Sequence, residues 1–147
     1  MESILLVNGP NLNMLGIREV EKYGETSLTE IVSNLEKKAK EKNYALKSFQ
    51  SNHEGELIDF IQSEGRKAKG LILNAGAFTH TSIALRDAIL SVKIPFVEVH
   101  LSNIFGRENF RHHSYLSDIA IGIIAGFGKM SYELGLIAII DFIEKKV

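Results

Sequence analysis

The sequence has no cysteine, and only two of its 147 residues are proline. Without cysteine the chain forms no disulfide and offers neither a thiolate nucleophile nor a cysteine-ligated metal site. This composition suits a reducing compartment, so we expect a cytoplasmic protein. Neither sign of charge prevails, because 17 Lys and Arg residues stand against 18 Asp and Glu residues, for a formal net charge of −1. Nucleic acid and membrane surfaces are therefore not expected partners, since the chain has no electrostatic reason to bind them.

Long hydrophobic runs are also missing. No stretch approaches the length of a membrane span, and the first apolar run, at residues 4–7, is too short for a signal peptide and has no basic flank. Hydrophobic residues make up 45% of the chain and charged residues 24%, which is ordinary for a globular protein. We expect one domain over residues 1–147, and a chain of this length buries about 68–70% of its unfolded surface.

Apolar runs predict β-strands at residues 4–7, 44–49, 70–73, 96–101 and 119–125. The run at 70–73 is apolar throughout and predicts a central strand that is buried on both faces. The run at 44–49 mixes polar and apolar residues, as an edge strand does. Pro95 opens the fourth run.

Helical patterns separate these strands. Ser27 and Glu30 form a capping-box pattern that opens the first helix, and either Thr81 or Ser82 is placed to cap the third. The predicted inward stripes are Leu28, Ile31, Leu35 and Ala39 in the first helix, Leu57, Ile58 and Ile61 before a stop at Gly65 in the second, Ile83, Ala84, Ala88 and Ile89 in the third, and Tyr132, Leu136, Ile139, Ile140 and Ile143 in the last. Strands that alternate with amphipathic helices predict right-handed βαβ units and a parallel sheet of about five strands. The pattern alone leaves two strand orders open.

Polar and reactive side chains follow the first four strands. They include Asn8, Asn11, Gln50, Asn52, Asn74, His80 and Arg111. The carboxyl ends of parallel strands meet at one edge of the sheet, where α/β proteins bind their ligands. We therefore expect the functional site at this edge.

The loop after the first strand covers residues 8–24. It carries Arg18 and Tyr23, and glycines at positions 9, 16 and 24 give its backbone freedom. A long loop without secondary structure in a small domain is typical of a lid or binding loop, or of disorder. Ile17, Val20 and Tyr23 give this segment side chains with which to close, so we predict a mobile lid.

Blocks of sequence in a fixed order carry a family resemblance. They are Asn-Gly-Pro-Asn-Leu-Asn at 8–13 with the Arg-Glu-Val-Glu-Lys-Tyr-Gly segment at 18–24, Gln-Ser-Asn-His-Glu-Gly at 50–55, Asn-Ala-Gly-Ala at 74–77 with His80, Glu-Val-His-Leu-Ser-Asn at 98–103, and Phe-Arg-His-His-Ser at 110–114. Together they span nearly the whole chain, and they resemble the type II 3-dehydroquinate dehydratases. One position departs from the pattern, because Val20 stands where that family usually has proline.

The resemblance implies a three-layer, flavodoxin-like α/β fold with helices on both faces of a five-stranded parallel sheet in the order 2-1-3-4-5. It implies a lyase of the shikimate pathway, which leads to chorismate and the aromatic amino acids. The reaction removes water from 3-dehydroquinate through an enolate and gives 3-dehydroshikimate, with no cofactor and no metal. The implied assembly is a homododecamer, a tetramer of trimers.

Tyr23 is the candidate general base. An unperturbed tyrosine has a pKa of about 10, so acting near neutral pH requires a drop of roughly 2–3 units, or about 3–4 kcal/mol. One arginine at about 4 Å, in an effective dielectric constant near 20, contributes about that much. We assign this cation to Arg18, with Arg111 or Arg107 as a second. Without the resemblance, a tyrosine that only packs in the lid fits the pattern at least as well.

His100 and Glu98 lie on the same face of the fourth predicted strand and are neighbours there. Histidine is the usual proton donor near neutral pH, and an adjacent carboxylate favours its protonated ring. A lone histidine in a strand is more often structural, and it is the resemblance that makes His100 the acid and Glu98 the group that orients it. The resemblance also makes His80 a contact for a substrate hydroxyl, although hydrogen bonding at a helix start would explain His80 equally well.

The remaining candidates for the substrate site are Asn11, Asn74, Asp87, Leu101, Ser102 and Arg111. The amides and the hydroxyl are neutral donors and acceptors that suit a polyhydroxylated substrate and an enolate oxygen, and the enolate would be held by a water near Asn11. Arg111 is the best cation for a carboxylate, which its guanidinium binds bidentately. Asp87 would accept from a hydroxyl or from His80, although its position fits an ordinary helix residue equally well.

Two alternative functions share this fold class. A receiver-type signalling module needs an acidic cluster after the first strand and a phosphoacceptor aspartate after the third, where this chain has Asn8, Asn11 and Asn74. A flavodoxin-like ligand-binding module needs a loop that cradles phosphate. Pro10 has no N–H to give such a loop, and no Gly-x-Gly-x-x-Gly follows any predicted strand.

Overall fold

The computed structural model describes residues 1–17, 21 and 25–145. The strands are β1 (Glu2–Asn8), β2 (Tyr44–Gln50), β3 (Gly70–Asn74), β4 (Phe96–His100) and β5 (Gly122–Ala125), and the helices packed on them are α1 (Leu28–Glu41), α2 (Glu54–Glu64), α3 (Ile83–Val92) and α4 (Met130–Lys145). All strand pairs are parallel, in the order β2-β1-β3-β4-β5. The expected sheet and its order are confirmed. Within these residue ranges, none of the helices is long and apolar enough to cross a membrane.

Helices cover both faces of the sheet, as the alternation of side chains along β1 requires. Ile4 and Leu6 pack in the core layer shared with α1 and α4, whereas Leu5 and Val7 pack in the layer shared with α2 and α3. All four side chains are fully buried. The three layers leave the carboxyl ends of the strands as the edge where the connecting loops collect.

Serine caps start two of the helices. Ser27 accepts a hydrogen bond from the backbone N–H of Glu30 at 3.2 Å and starts α1. Ser82, not Thr81, accepts from the backbone N–H of Leu85 at 2.9 Å and starts α3. Both bonds satisfy N–H groups that the first helical turn leaves without a backbone partner.

The inward stripe predicted for α3 is wrong at its first two positions. Ile83 and Ala84 are exposed, and the buried residues of the helix are Leu85, Ala88 and Ile89. The cap explains the difference: Ser82 is itself buried, and the helical repeat returns to its side of the helix at Leu85, three residues later.

The last strand is shorter than predicted. β5 begins at Gly122 rather than at residue 119, and Ser117–Ile119 form a 3-10 turn instead. The Ser117 hydroxyl donates to Glu98 at 2.7 Å. The Ser117–Ile119 turn is therefore hydrogen-bonded to the side chain of Glu98 on β4 and is not part of the paired strand.

The predicted lid over residues 8–24 is described only in part. Residues 18–20 and 22–24 lie outside the described residues, as do residues 146–147. The predicted mobility of the lid, and the predictions for Arg18, Val20 and Tyr23, fall on these residues.

Candidate active site

A cavity of about 200 Å³ opens at the carboxyl ends of β1, β3 and β4. Its lining residues are Pro10, Asn11, Leu12, Leu15, Asn74, Gly76, Ala77, His80, His100, Leu101, Ser102, Ile104, Arg107 and Arg111. The structure thus brings together most of the predicted site, namely Asn11, Asn74, His80, His100, Leu101, Ser102 and Arg111. These residues follow three different strands and meet because those strands are neighbours in the sheet.

The lining is polar and carries positive charge. Arg107, Arg111 and two histidines line the cavity, and no Asp or Glu is among the lining residues that the structure describes. The volume is below the roughly 300–1,000 Å³ typical of pockets for drug-sized ligands. A small anion that also carries hydroxyl or carbonyl groups matches this combination of size, charge and hydrogen-bonding groups.

Two glycines allow the turn after β1 to contact the turn after β3. A Cβ atom added at Gly9 would lie 2.3 Å from the carbonyl oxygen of Ala75. Gly76 has a φ of 58°, and a Cβ atom there would lie 3.0 Å from the carbonyl oxygen of Pro10. Neither position has room for a side chain, so the close contact of the two turns depends on glycine.

The block after β2 supports Asn11 without lining the described cavity. Asn52 accepts from the backbone N–H of Asn11 at 3.0 Å, and the side-chain amide of Gln50 donates to the carbonyl oxygen of Gly9 at 3.1 Å. Asn11 has a φ of 70°, a left-handed conformation that asparagine adopts more readily than most residues. Polar residues after β2 therefore fix the conformation of the turn that presents Asn11.

His100 and Glu98 form a buried pair at the end of β4. The Nε2 atom of His100 lies 2.6 Å from Oε2 of Glu98, and the two residues are 5% and 0% exposed. A carboxylate can only accept a hydrogen bond, so Nε2 carries a proton and Nδ1 is the ring nitrogen left to exchange one. The two side chains are therefore in contact, as their positions on the predicted strand indicated.

The second oxygen of Glu98 is also occupied. Oε1 accepts from the hydroxyl of Ser117 at 2.7 Å and from that of Ser114 at 3.1 Å. Burial alone would raise the pKa of Glu98, but the hydrogen bond and charge of His100, together with the two hydroxyls, outweigh burial and lower it below the ordinary value. Glu98 is therefore a carboxylate at neutral pH. Neither serine was predicted as part of the site, and the sequence signal for them is that they follow the histidines of the 110–114 block.

His80 uses the other ring nitrogen for its hydrogen bond to the protein. Its Nδ1 atom lies 2.8 Å from the carbonyl oxygen of His113, so Nδ1 is the protonated nitrogen and Nε2 is an acceptor when the ring is neutral. Burial lowers the pKa of His80, and the opposing hydrogen bond to His113 does not compensate for it. The bond joins the turn after β3 to the loop after β4 and does not cap α3. The rings of His80 and His100 are nearly parallel, with centroids 6.3 Å apart.

The loop after β4 supplies Arg107 and Arg111, the two guanidinium groups among the described lining residues. Arg107 donates to the hydroxyl of Ser102 at 3.2 Å. Arg111 donates from Nε to Glu108 at 3.0 Å and lies over the ring of Phe110, 5.1 Å from its centroid. Arg107 was predicted only as a partner for the tyrosine, whereas the structure places it in the cavity lining.

One predicted residue does not join this constellation, and two others lie outside the described residues. Asp87 is exposed on α3 and is not among the described lining residues of the cavity. Within the single chain it is therefore not brought to the site as an acceptor. Arg18 and Tyr23 lie outside the described residues, so the predicted base and its cation stay predictions.

The chain is similar to known proteins over nearly its whole length. The sequence model of the family described as "Dehydroquinase class II" matches residues 2–140. A 3-dehydroquinate dehydratase of Prochlorococcus marinus (strain MIT 9301) is 58% identical over 146 residues, with 99% of each chain covered, and one of Prochlorococcus marinus subsp. pastoris is 60% identical over 142 residues, with 97% of each covered. The crystal structure of a type II dehydroquinase from Butyrivibrio crossotus DSM 2876 is similar at a TM-score of 0.88, with 43% identity and 97% of each chain covered. The chain belongs to the class II dehydroquinase family.

Proposed function

We propose that this protein is a hydro-lyase that removes water from 3-dehydroquinate to give 3-dehydroshikimate in the shikimate pathway. The observation that carries the proposal is the buried pair of His100 and Glu98 beside a small cavity with two arginines. Relatives that share more than half of their residues with this chain carry the name of this enzyme. The receiver alternative is not favoured, because amides stand where a receiver needs carboxylates. The ligand-binding alternative is not favoured, because Pro10 has no N–H to give a phosphate-binding loop.

The proposed reaction needs one base and one acid. Tyr23, as tyrosinate beside Arg18, removes a proton from the carbon next to the ketone, and the electron pair of the C–H bond forms the enolate. When the enolate returns to a ketone, the C–O bond to the leaving hydroxyl breaks. His100 donates the proton on Nδ1 to that hydroxyl, which leaves as water. The assignments of Tyr23 and Arg18 come from the family resemblance and the charge argument.

The remaining lining residues bind the substrate in this proposal. Arg111 binds the substrate carboxylate, since a guanidinium matches its two oxygens. His80 accepts from a substrate hydroxyl through Nε2. Asn11 holds the water at the enolate oxygen, and Asn74 contributes amide hydrogen bonds. Leu101 and Ser102, which line the cavity directly after His100, complete the substrate site.

The wider context is part of the same proposal. We expect one catalytic unit over residues 1–147, a cytoplasmic location and a homododecamer built from four trimers. Light scattering on the purified protein checks the assembly, because the dodecamer has twelve times the chain mass of 16.4 kDa. A smaller stable particle would contradict the expected assembly without affecting the proposed chemistry.

Purified protein mixed with 3-dehydroquinate should produce the ultraviolet absorbance of an enone carboxylate, and no rise in absorbance would refute the function. Tyr23→Phe should abolish turnover while leaving ligand affinity largely intact, because it removes only the ionisable hydroxyl. Tyr44→Phe is the matched control, since the Tyr44 hydroxyl bonds Glu144 outside the cavity. Substantial activity in Tyr23→Phe would remove Tyr23 as the base.

Arg18→Ala tests the cation that is assigned to the base. Losing a positive charge beside tyrosinate should raise the apparent pKa of the acidic limb of the rate profile, because more alkaline solution is then needed to ionise the phenol. Arg66→Ala, which removes an exposed arginine after α2, controls for net charge. An unshifted acidic limb in Arg18→Ala would point to another cation.

A further inference from the structure

A hydrogen-bonded tyrosine connects the ends of two strands next to the cavity. Tyr132 lies on α4 and is 0% exposed. Its hydroxyl accepts from Nδ2 of Asn74, at the end of β3, at 2.9 Å, and donates to Oδ1 of Asn8, at the end of β1. The sequence pattern predicted Tyr132 only as one member of an apolar stripe, but its polar atom bonds a residue that lines the cavity.

The direction of each bond follows from one backbone group. The N–H of Gly76 can only donate, and it lies 3.2 Å from the side chain of Asn74, so the atom it meets is the amide oxygen of Asn74. The amide nitrogen of Asn74 therefore faces Tyr132, whose hydroxyl must accept there. The hydroxyl proton is then directed at Asn8. Burial raises the pKa of Tyr132, so the phenol keeps this proton.

This chain of bonds fixes the orientation of an amide in the site. Asn74 is 3% exposed and lines the cavity. One N–H of its amide is used by Tyr132, and one lone pair of its oxygen is used by Gly76, which leaves one N–H and one lone pair for other partners. Without the tyrosine hydroxyl, the bond from Gly76 would be the one hydrogen bond left to this amide among the described residues.

We propose that Tyr132 is a positioning residue that holds the amide of Asn74 in the orientation that presents its remaining N–H to the substrate. The inference rests on the proposed function, because it assumes that Asn74 contacts 3-dehydroquinate. Tyr132 touches no substrate itself and acts through Asn74 alone. Its effect on turnover should therefore disappear when the Asn74 side chain is removed.

The test is a double-mutant cycle on kcat/KM for 3-dehydroquinate. Tyr132→Phe removes only the hydroxyl and should lower kcat/KM about tenfold, the size of one neutral hydrogen bond. In an Asn74→Ala background, the same substitution should change kcat/KM less than about twofold, because the amide that it orients is gone. Asn8→Ala, which removes the acceptor of the phenol, is the second variant if Tyr132→Phe folds poorly, and it should show the same dependence on Asn74.

Several outcomes would overturn the inference. An unchanged kcat/KM in Tyr132→Phe, or an equal loss with and without the Asn74 side chain, would assign Tyr132 a general structural role. An Asn74→Ala variant with full activity would remove Asn74 from the site, although the dehydratase function would stand. If the parent protein does not turn over 3-dehydroquinate, the function fails instead. A crystal structure of Tyr132→Phe then decides the inference, because an unmoved Asn74 amide would overturn it and a rotated amide would support it.

Discussion

Glu98→Gln tests whether His100, the proposed acid, depends on its carboxylate partner. The substitution keeps the size of the side chain and removes one charge from a pair in which Nε2 and Oε2 are 2.6 Å apart. A hydrogen bond to a charged group contributes about 1.5–3 kcal/mol. Because each 1.36 kcal/mol in the barrier is a factor of ten in rate, we expect kcat to fall roughly tenfold to hundredfold.

The local geometry predicts how the variant fails. The oxygen of the new amide can keep the hydrogen bonds from Ser114 and Ser117, so its NH₂ group faces Nε2 of His100. Nε2 must then accept, which places the only ring proton of His100 on Nδ1 in a neutral imidazole. A neutral imidazole is a far weaker acid than imidazolium, so proton donation to the leaving hydroxyl is slowed while substrate binding persists.

Steady-state absorbance kinetics check this prediction, with Glu64→Gln as the matched control. Glu64 is also a paired carboxylate, bonded to Lys47 at 3.1 Å, but it lies at the end of α2 outside the described cavity lining. Urea unfolding of both variants separates a loss of folded protein from a loss of catalysis. A kcat for Glu98→Gln within twofold of the parent, with the fold intact, would refute the dependence of His100 on Glu98.

Two further predictions concern stability. Gly9→Ala forces a Cβ atom to 2.3 Å from the carbonyl oxygen of Ala75. The free energy of unfolding, measured in urea titrations, should therefore fall by about 1–3 kcal/mol, as in overpacked cores. Gly55→Ala is the control and should not show this loss, because nothing lies within 4 Å of the added Cβ atom. Burial lowers the pKa of His80 below its ordinary 6.5, so His80 takes up a proton more readily in the unfolded chain than in the folded one. The parent protein therefore loses stability as the pH falls through the folded pKa of His80. His80→Asn should make the unfolding free energy less dependent on pH below about 6.5. Urea titrations at a series of pH values check this, and a slope equal to that of the parent would contradict the assignment.

Much of the fold could be predicted from the sequence because hydrophobic alternation reports which face of a strand is buried. The fully apolar run that became β3 indicated a strand covered on both sides, and the mixed run that became β2 indicated an edge. Alternation does not report which strands are neighbours, so the order β2-β1-β3-β4-β5 required the family resemblance. The error in α3 has a similar cause, since the phase of a helix depends on which residue caps it. Both Thr81 and Ser82 fitted the sequence.

The candidate site, too, could be predicted from the sequence only in part. Residues at or shortly after the end of a strand, such as Asn11, Asn74 and His100, were predictable because parallel strands bring their carboxyl ends together. Their supporting partners were not, because these contacts join residues far apart in the chain. Ser117 reaches Glu98 over 19 positions and Tyr132 reaches Asn74 over 58. Neither residue type distinguishes a partner of the site from an ordinary turn serine or core tyrosine.

The two histidines of the cavity show how a partner sets the role of an identical side chain. Each ring has one nitrogen committed to a protein acceptor, Glu98 for His100 and the His113 carbonyl for His80. Nε2 of His100 donates to the carboxylate of Glu98, which leaves Nδ1 as the exchangeable nitrogen of that ring. The His113 carbonyl does not offset the burial of His80, so the pKa of that ring is lowered. With ring centroids only 6.3 Å apart, a second positive ring would also repel the first. In the proposed elimination, Nδ1 of His100 is therefore placed to donate to the leaving hydroxyl, and Nε2 of His80 is placed to accept from a retained hydroxyl.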